Sequence, residues 1–150
     1  YVGNNPVTLI DPSGLFTPDH HFRITYGAAR DSGYGIIDSA KMAWNVVWED
    51  RNAFDDSASA SAVHAMRGIG SDGYQSLGEA MNNTNNVIMR GSLSAALHAG
   101  QDMARHNFES MEALGGWAAV THFLRDAFPS ESVKNQAYQN TRNILNNCGK

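Results

Sequence analysis

Cysteine is almost missing from this chain. Cys148 is the single one in 150 residues, so no disulfide can form within it, and its place near a frayed end assigns it no role. Long apolar runs are missing as well. No stretch approaches the ~20 residues a membrane span needs, and no signal peptide is visible. Basic residues are few: eleven Lys and Arg stand against fifteen Asp and Glu, for a formal net charge of −4. A nucleic-acid partner usually meets a basic face, so the balance weighs against one. The objection is partial, because two or three bound dications would reverse the local sign. After residue 16 there is no strand pattern of useful length, no internal repeat and no low-complexity tract. The length fits one domain with a short appendage. The apolar share, 42%, is ordinary for a chain that buries a core. The chain opens at Tyr1 rather than Met and is expected to be a piece of a longer protein.

What is present is helical patterning. Thr17-Pro18-Asp19 is an N-terminal helix signal, with proline and an acid in the first turn. That helix should run to about Arg30 and stop at Asp31-Ser32-Gly33. Ile36, Ile37, Ala40, Ala43, Trp44, Val47 and Trp48 follow a 3.6-residue period, which predicts a helix over 36–50. Asp55-Asp56-Ser57 can cap a helix from Ser59 to Arg67. Residues 68–73 read as a loop. Leu77, Ala80 and Met81 predict a short helix, weakened by the Asn82–Asn86 run. Ser92–His106 predicts a strong helix of small residues. Gly115-Gly116 begins another, ending near Phe128 before Pro129, and Ser130-Glu131-Ser132 opens an amphipathic helix to about Asn146. The expected fold is an all-α compact bundle over residues 16–150, with ligands on inward helix faces.

Five of the six histidines fall into a spaced set with three aspartates: His21, Asp50, His64, His98, Asp102, His106, His122 and Asp126. The anchors are His98-x-x-x-Asp102 and His122-x-x-x-Asp126. Helix positions four apart share one face, about 5–6 Å between Cβ atoms, so one ion can take both side chains. Imidazole and carboxylate suit zinc at an open, catalytic site, and two such pairs point to more than one ion. Asp102 also sits on a helix face otherwise made of small and apolar residues, where an unpaired charge is expensive. His–Asp hydrogen-bonded pairs bracing a bundle are the plainer alternative. His20 reads as an exposed neighbour of His21. Trp44, Trp48 and Trp117 fit core packing as well as lipid contact or base stacking.

Residues 1–15, YVGNNPVTLIDPSGL, differ in composition from the rest. Asn4-Asn5-Pro6 and Asp11-Pro12-Ser13-Gly14 are turn-rich, and Val7–Ile10 can form one short strand. The segment resembles the closing motif of the Rhs repeat core, NPxxxxDPxGL, here Asn5-Pro6…Asp11-Pro12-Ser13-Gly14-Leu15. The resemblance implies that residues 1–15 end a β-cage shell and that a toxin domain follows. It implies self-cleavage between Leu15 and Phe16 by aspartyl-protease chemistry, with Asp11 one catalytic carboxylate and its partner upstream. It also implies a cognate immunity protein, and secretion into a target cell by a type VI system.

The order of the His and Asp residues resembles the zinc-dependent phospholipase C and S1/P1 nuclease superfamily, all-α enzymes with a trinuclear zinc site. His21-Phe22-Arg23-Ile24-Thr25 is similar to the family's opening H-x-x-I-T, and Leu97-His98-Ala99-Gly100-Gln101-Asp102 to its L-H-x-x-Q-D run. The resemblance implies that Asp50, His64, His98 and Asp102 hold one zinc, and His106, His122 and Asp126 a second. His21 and a bridging Asp102 would hold the third. Asp55 or Asp56 can stand in for Asp50, and Asp55, Asp56 and Glu109 are candidates to orient a water. Gln101 and Asn107 are placed to lock imidazole tautomers. The family's third site uses the mature amino terminus, commonly Trp, whereas residue 16 here is Phe. The final ligand is Asp126, which the nucleases share, where the phospholipases usually carry Glu. The implied activity is phosphodiester hydrolysis of membrane phospholipids, with a nuclease acting on single strands as the alternative. A non-enzymatic membrane-active toxin is the third reading.

Overall fold

The computed structural model describes residues 17–52, 55–110 and 128–148. The fold is all-α and compact, with six α-helices and one minute hairpin among the described residues. In order they are α1 (Pro18–Asp31), α2 (Ile36–Trp48), a 3-10 turn at Glu49–Asn52, α3 (Ala58–Val63), β1 (Ile69–Gly70), β2 (Gly73–Tyr74), α4 (Leu77–Arg90), α5 (Leu93–His106) and α6 (Glu131–Cys148). The two strands pair antiparallel, Ile69 opposite Tyr74. No helix among the described residues is long and apolar enough to cross a membrane.

α5 is the central helix. Ser92 caps it by accepting from the Ala95 amide, and every residue from Ala96 to Asp102 is buried. A helix enclosed on all sides needs small residues so that neighbours can approach, and Ala96, Ala99 and Gly100 meet that need. Gly100 is where α6 comes closest: a Cβ there would meet Ile144 Cδ1 at 2.6 Å. The Asn140 side chain donates to the Gly100 carbonyl at 2.7 Å, tying the two helices at that point. Ala28, Ala29, Val46, Leu97 and Leu145 form the main apolar cluster, joining α1, α2, α5 and α6. Ala65, Ala80 and Phe108 form a second one beneath α4.

Two helices differ from expectation, each for a physical reason. α3 stops at Val63 because the chain turns back at once: Ala65 takes a left-handed φ of 51°, and the Ile69 amide returns to the Asp56 carbonyl at 2.6 Å. α4 runs straight through its asparagines. Ser76 and Glu79 form a reciprocal capping box, and Ala80 and Thr84 are fully buried. Asn82, Asn85 and Asn86 lie on the exposed side, where their weak helix preference costs only tenths of a kcal/mol each. In α2 the buried face is Ser39, Ala43 and Val46. Ile36, Ile37, Trp44 and Trp48 point outward, with relative exposures of 64%, 69%, 62% and 67%. Trp44 meets Phe22 of α1 edge-on, with ring centroids 5.3 Å apart, and Trp117 lies outside the described residues. So do Asp11, Leu15, Phe16, His122, Asp126 and the helix expected over 115–128.

Candidate metal centre

Four elements bring five of the eight expected ligands together. α1 carries His21, the 3-10 turn carries Asp50, the C-terminal end of α3 carries His64, and α5 carries His98 and Asp102. His21, His98 and Asp102 are fully buried and His64 is 3% exposed. The Asp50 side chain, 12% exposed, is the one member that reaches solvent. His98 Nε2 lies 3.0 Å from Asp102 Oδ2, 3.3 Å from Asp50 Oδ1 and 3.0 Å from His64 Nδ1. His64 Nδ1 is 3.2 Å from Asp102 Oδ2. His21 Nε2 is 3.4 Å from Asp102 Oδ1 and 4.0 Å from Asp50 Oδ1. Two groups, His21–Asp50–His98 and His64–His98–Asp102, each hold their ligand atoms within 4.8 Å of one another and can hold a metal ion.

Hydrogen bonds on the far side of the rings decide what the near side offers. His98 Nδ1 lies 3.1 Å from the Val46 carbonyl. A carbonyl only accepts, so Nδ1 carries the proton, and in the neutral ring Nε2 carries the lone pair. His21 Nδ1 lies 2.7 Å from Gln101 Oε1, and donation to it leaves Nε2 of that ring unprotonated too. Two lone pairs thus face two carboxylates. Oxygen and nitrogen lone pairs repel at 3.0–3.4 Å unless a proton or a cation lies among them. Outer partners that turn imidazoles in this way are the usual companions of metal-bound histidine.

The electrostatics run the same way. Burial, helped by the neighbouring His98, drives His21 down to about 3, so the ring stays neutral. Burial opposes charge on His98 as well, but Asp102 and Asp50 outweigh it and raise the ring to about 9. Burial works against an ionised Asp102, yet His98 and His21 hold it well below the usual carboxylate range. One proton on His98 offsets one of the two carboxylate charges. A dication among neutral rings offsets both, which is what a buried cluster requires.

The other expected residues fall as follows. His106 is fully buried at the end of α5, outside both ligand groups, and its expected companions His122 and Asp126 lie outside the described residues. Asp55 and Asp56 are exposed, and Asp55 accepts from the Ser57 amide at 2.9 Å. Asp50 is the acid of this segment that stands in the cluster. His20 is half-buried rather than exposed, with Nδ1 2.7 Å from Thr17 Oγ1. Asn107 orients no histidine among the described residues. It is exposed and closes α5 in a left-handed conformation, φ 45°, which asparagine tolerates. Sequence reasoning passed over the Val46 carbonyl and Thr141, and it quoted Thr25 in the H-x-x-I-T run without giving it a role. A backbone carbonyl leaves no signal in a sequence. Thr141 left a faint one, since it shares an inward face with Ala137 and Leu145 at helical spacing. No protein-family model, no curated protein and no solved structure matches the chain.

Proposed function

We propose that this chain carries a zinc-dependent phosphodiester hydrolase of the phospholipase C-like kind, the toxin domain that follows an Rhs shell. The observation behind this reading is the pair of imidazole nitrogens, His21 Nε2 and His98 Nε2, that the bonds on the far side of each ring leave facing the carboxylates of Asp102 and Asp50. The distances fit zinc. Tetrahedral bonds of about 2.0–2.2 Å set ligand atoms about 3.3–3.6 Å apart, and the cluster's spacings of 3.0–3.4 Å about Asp102 lie at or slightly inside that. His98 Nε2 has one lone pair and would serve one ion, together with His64 and Asp102. Asp102 Oδ1 turns to His21, so these two residues could help hold a second. Zinc held there would supply Lewis acidity for activating a water and for neutralising charge on the phosphoryl oxygens. The residues of the chain do the rest. Val46 and Gln101 hold the rings, and Asp50 marks the side from which a phosphate can enter.

Phospholipid is favoured over nucleic acid by the outer face of α2. At 100° per residue, Ile36, Val47, Ala40, Trp44, Ile37 and Trp48 fill an arc of about 120°. Lys41 stands at its edge, and Asp50 follows Trp48 by two residues. Tryptophan and isoleucine beside a lysine suit a bilayer interface, where the rings sit at headgroup depth. A charged strand would want a row of cations instead. Asp126 is the sequence feature that favours the nuclease.

The deciding experiment gives purified protein, zinc-loaded or chelated, phosphatidylcholine vesicles and single-stranded DNA or RNA side by side. Zinc-dependent release of a phosphorylated head group is expected. Zinc-dependent loss of nucleic acid with intact lipid moves the assignment to a nuclease. Vesicle leakage indifferent to chelator leaves a non-enzymatic membrane toxin.

A further inference from the structure

Gln101 is not merely a neighbour of His21. It is the middle of a hydrogen-bond chain with only one possible direction. Thr141 Oγ1 donates to the Ala137 carbonyl at 2.8 Å, so its hydrogen is committed. The amide atom of Gln101 lying 3.0 Å from Thr141 Oγ1 must therefore be the donating nitrogen. The same nitrogen donates to Thr25 Oγ1 at 2.8 Å. The other atom of the amide is then the carbonyl oxygen, 2.7 Å from His21 Nδ1, and it can only accept. His21, Thr25, Gln101 and Thr141 are all 0% exposed, so no solvent competes for these bonds.

We infer that Thr141 is a positioning residue: through the fixed amide of Gln101, a backbone carbonyl of α6 sets the tautomer of His21 on α1 and keeps its Nε2 lone pair turned toward Asp102. The direction of the chain follows from the hydrogen bonds alone. That the lone pair serves a metal rests on the reading above. The relay also gives α6 a task. Its i−4 hydroxyl bond is what prevents the Gln101 amide from turning over. Were the amide reversed, its nitrogen would face His21 Nδ1, the proton would shift to Nε2, and a ligand would be lost. Thr25 alone does not prevent this, because a hydroxyl not committed elsewhere can either donate or accept.

The test is ring-nitrogen NMR of the full 150-residue chain, metal-free, with Zn2+ titration of the same samples. In the unsubstituted protein His21 should show a protonated Nδ1 and a bare Nε2. Thr141→Val keeps the shape but removes the hydroxyl. It should give mixed His21 tautomers and Zn2+ affinity lower by about 10–100-fold, the usual effect of losing a ligand's outer partner. Thr141→Ser should restore both. An Nε2 proton on His21 in the unsubstituted protein overturns the inference, and that spectrum needs no variant to fold. A single Nδ1 tautomer and unchanged affinity in Thr141→Val overturn the role of Thr141. A correct tautomer in a protein that binds no Zn2+ leaves the relay standing and removes the metal reading instead.

Discussion

His21 and His98 stack with ring centroids 4.2 Å apart and 23° between their planes. Two positive charges at that distance repel by about 4 kcal/mol at an effective dielectric of 20, so the pair holds at most one proton. His98 is the one that takes it, because Asp102 and Asp50 lie closer to its Nε2, at 3.0 and 3.3 Å, than to that of His21, at 3.4 and 4.0 Å.

A pH signature follows for the metal-free protein. His98, raised to about 9 from 6.5, contributes stability that is complete below 6.5 and lost as pH rises through 9. His21, depressed to about 3, costs stability as pH falls from 6.5 toward 3, since the unfolded ring takes a proton the folded one refuses. Metal-free stability should therefore peak near pH 6.5, with an alkaline loss on the order of 3 kcal/mol. On the proposed reading zinc would take the place of the His98 proton, so saturating zinc should flatten the alkaline limb. Urea unfolding across pH 5–10, with chelator and with zinc, measures both curves. An alkaline limb unchanged by zinc counts against metal at His98.

Asp102→Ala should remove zinc and activity together. Both oxygens of this carboxylate face imidazoles, and deleting it leaves His98 without its nearer counter-charge. Breaking a buried pair from one side costs about 3–5 kcal/mol. Elemental analysis and unfolding of the variant check the two effects separately. Full zinc content in the variant would show that the ion lies elsewhere.

Much of this centre was legible in the sequence because helical spacing is local. His98 and Asp102 lie one turn apart on α5, and nothing beyond the 3.6-residue period is needed to put them on one face. That His21, Asp50 and His64 come to meet them is a matter of tertiary packing, which spacing does not report, and there the family resemblance supplied the grouping. In α2 the period located the helix but not its buried face: of the periodic residues Ala43 is buried, while Ile36, Ile37, Trp44 and Trp48 are exposed. In α4 the asparagines read as weakening a short helix, but one capping box and two buried positions carry the helix through them.

Gly68→Ala should weaken the site without touching a ligand. A Cβ at Gly68 would meet the backbone carbonyl oxygens of Asp56 and Ser57, each at 2.6 Å, with the Ser61 hydroxyl also in the way. Backbone cannot move aside as a side chain tip can, so the loop must part from the start of α3. A loss of about 1–3 kcal/mol is expected. Because α3 presents His64, zinc affinity should fall as well. Thermal unfolding and zinc titration check the pair, and unchanged affinity in a destabilised variant would separate His64 from the site.

The Rhs resemblance predicts its own chemistry. Expressed with its upstream shell, the protein should cut itself between Leu15 and Phe16, and Asp11→Asn should leave one uncut polypeptide. Mass spectrometry of the released fragment reads the new amino terminus. Any terminus other than Phe16 refutes the assignment.

The exposed face of α2 supplies the last prediction. Ile37 and Trp48 are 69% and 67% exposed, so replacing both with Gln should leave the protein folded. Neither side chain is a ligand, and zinc content should stay the same. If this face meets the bilayer, the double variant gives up the transfer of two large apolar side chains, roughly 1.5–3 kcal/mol each. Vesicle binding should then fall by at least tenfold. Turnover of vesicle lipid should fall with it, while turnover of a short-chain phospholipid dissolved as monomers falls much less. Vesicle sedimentation and head-group release measure the two. Equal loss on both substrates would place Ile37 and Trp48 with the reacting site rather than with a membrane. Undiminished vesicle binding would leave the apolar arc of α2 without the lipid role proposed for it.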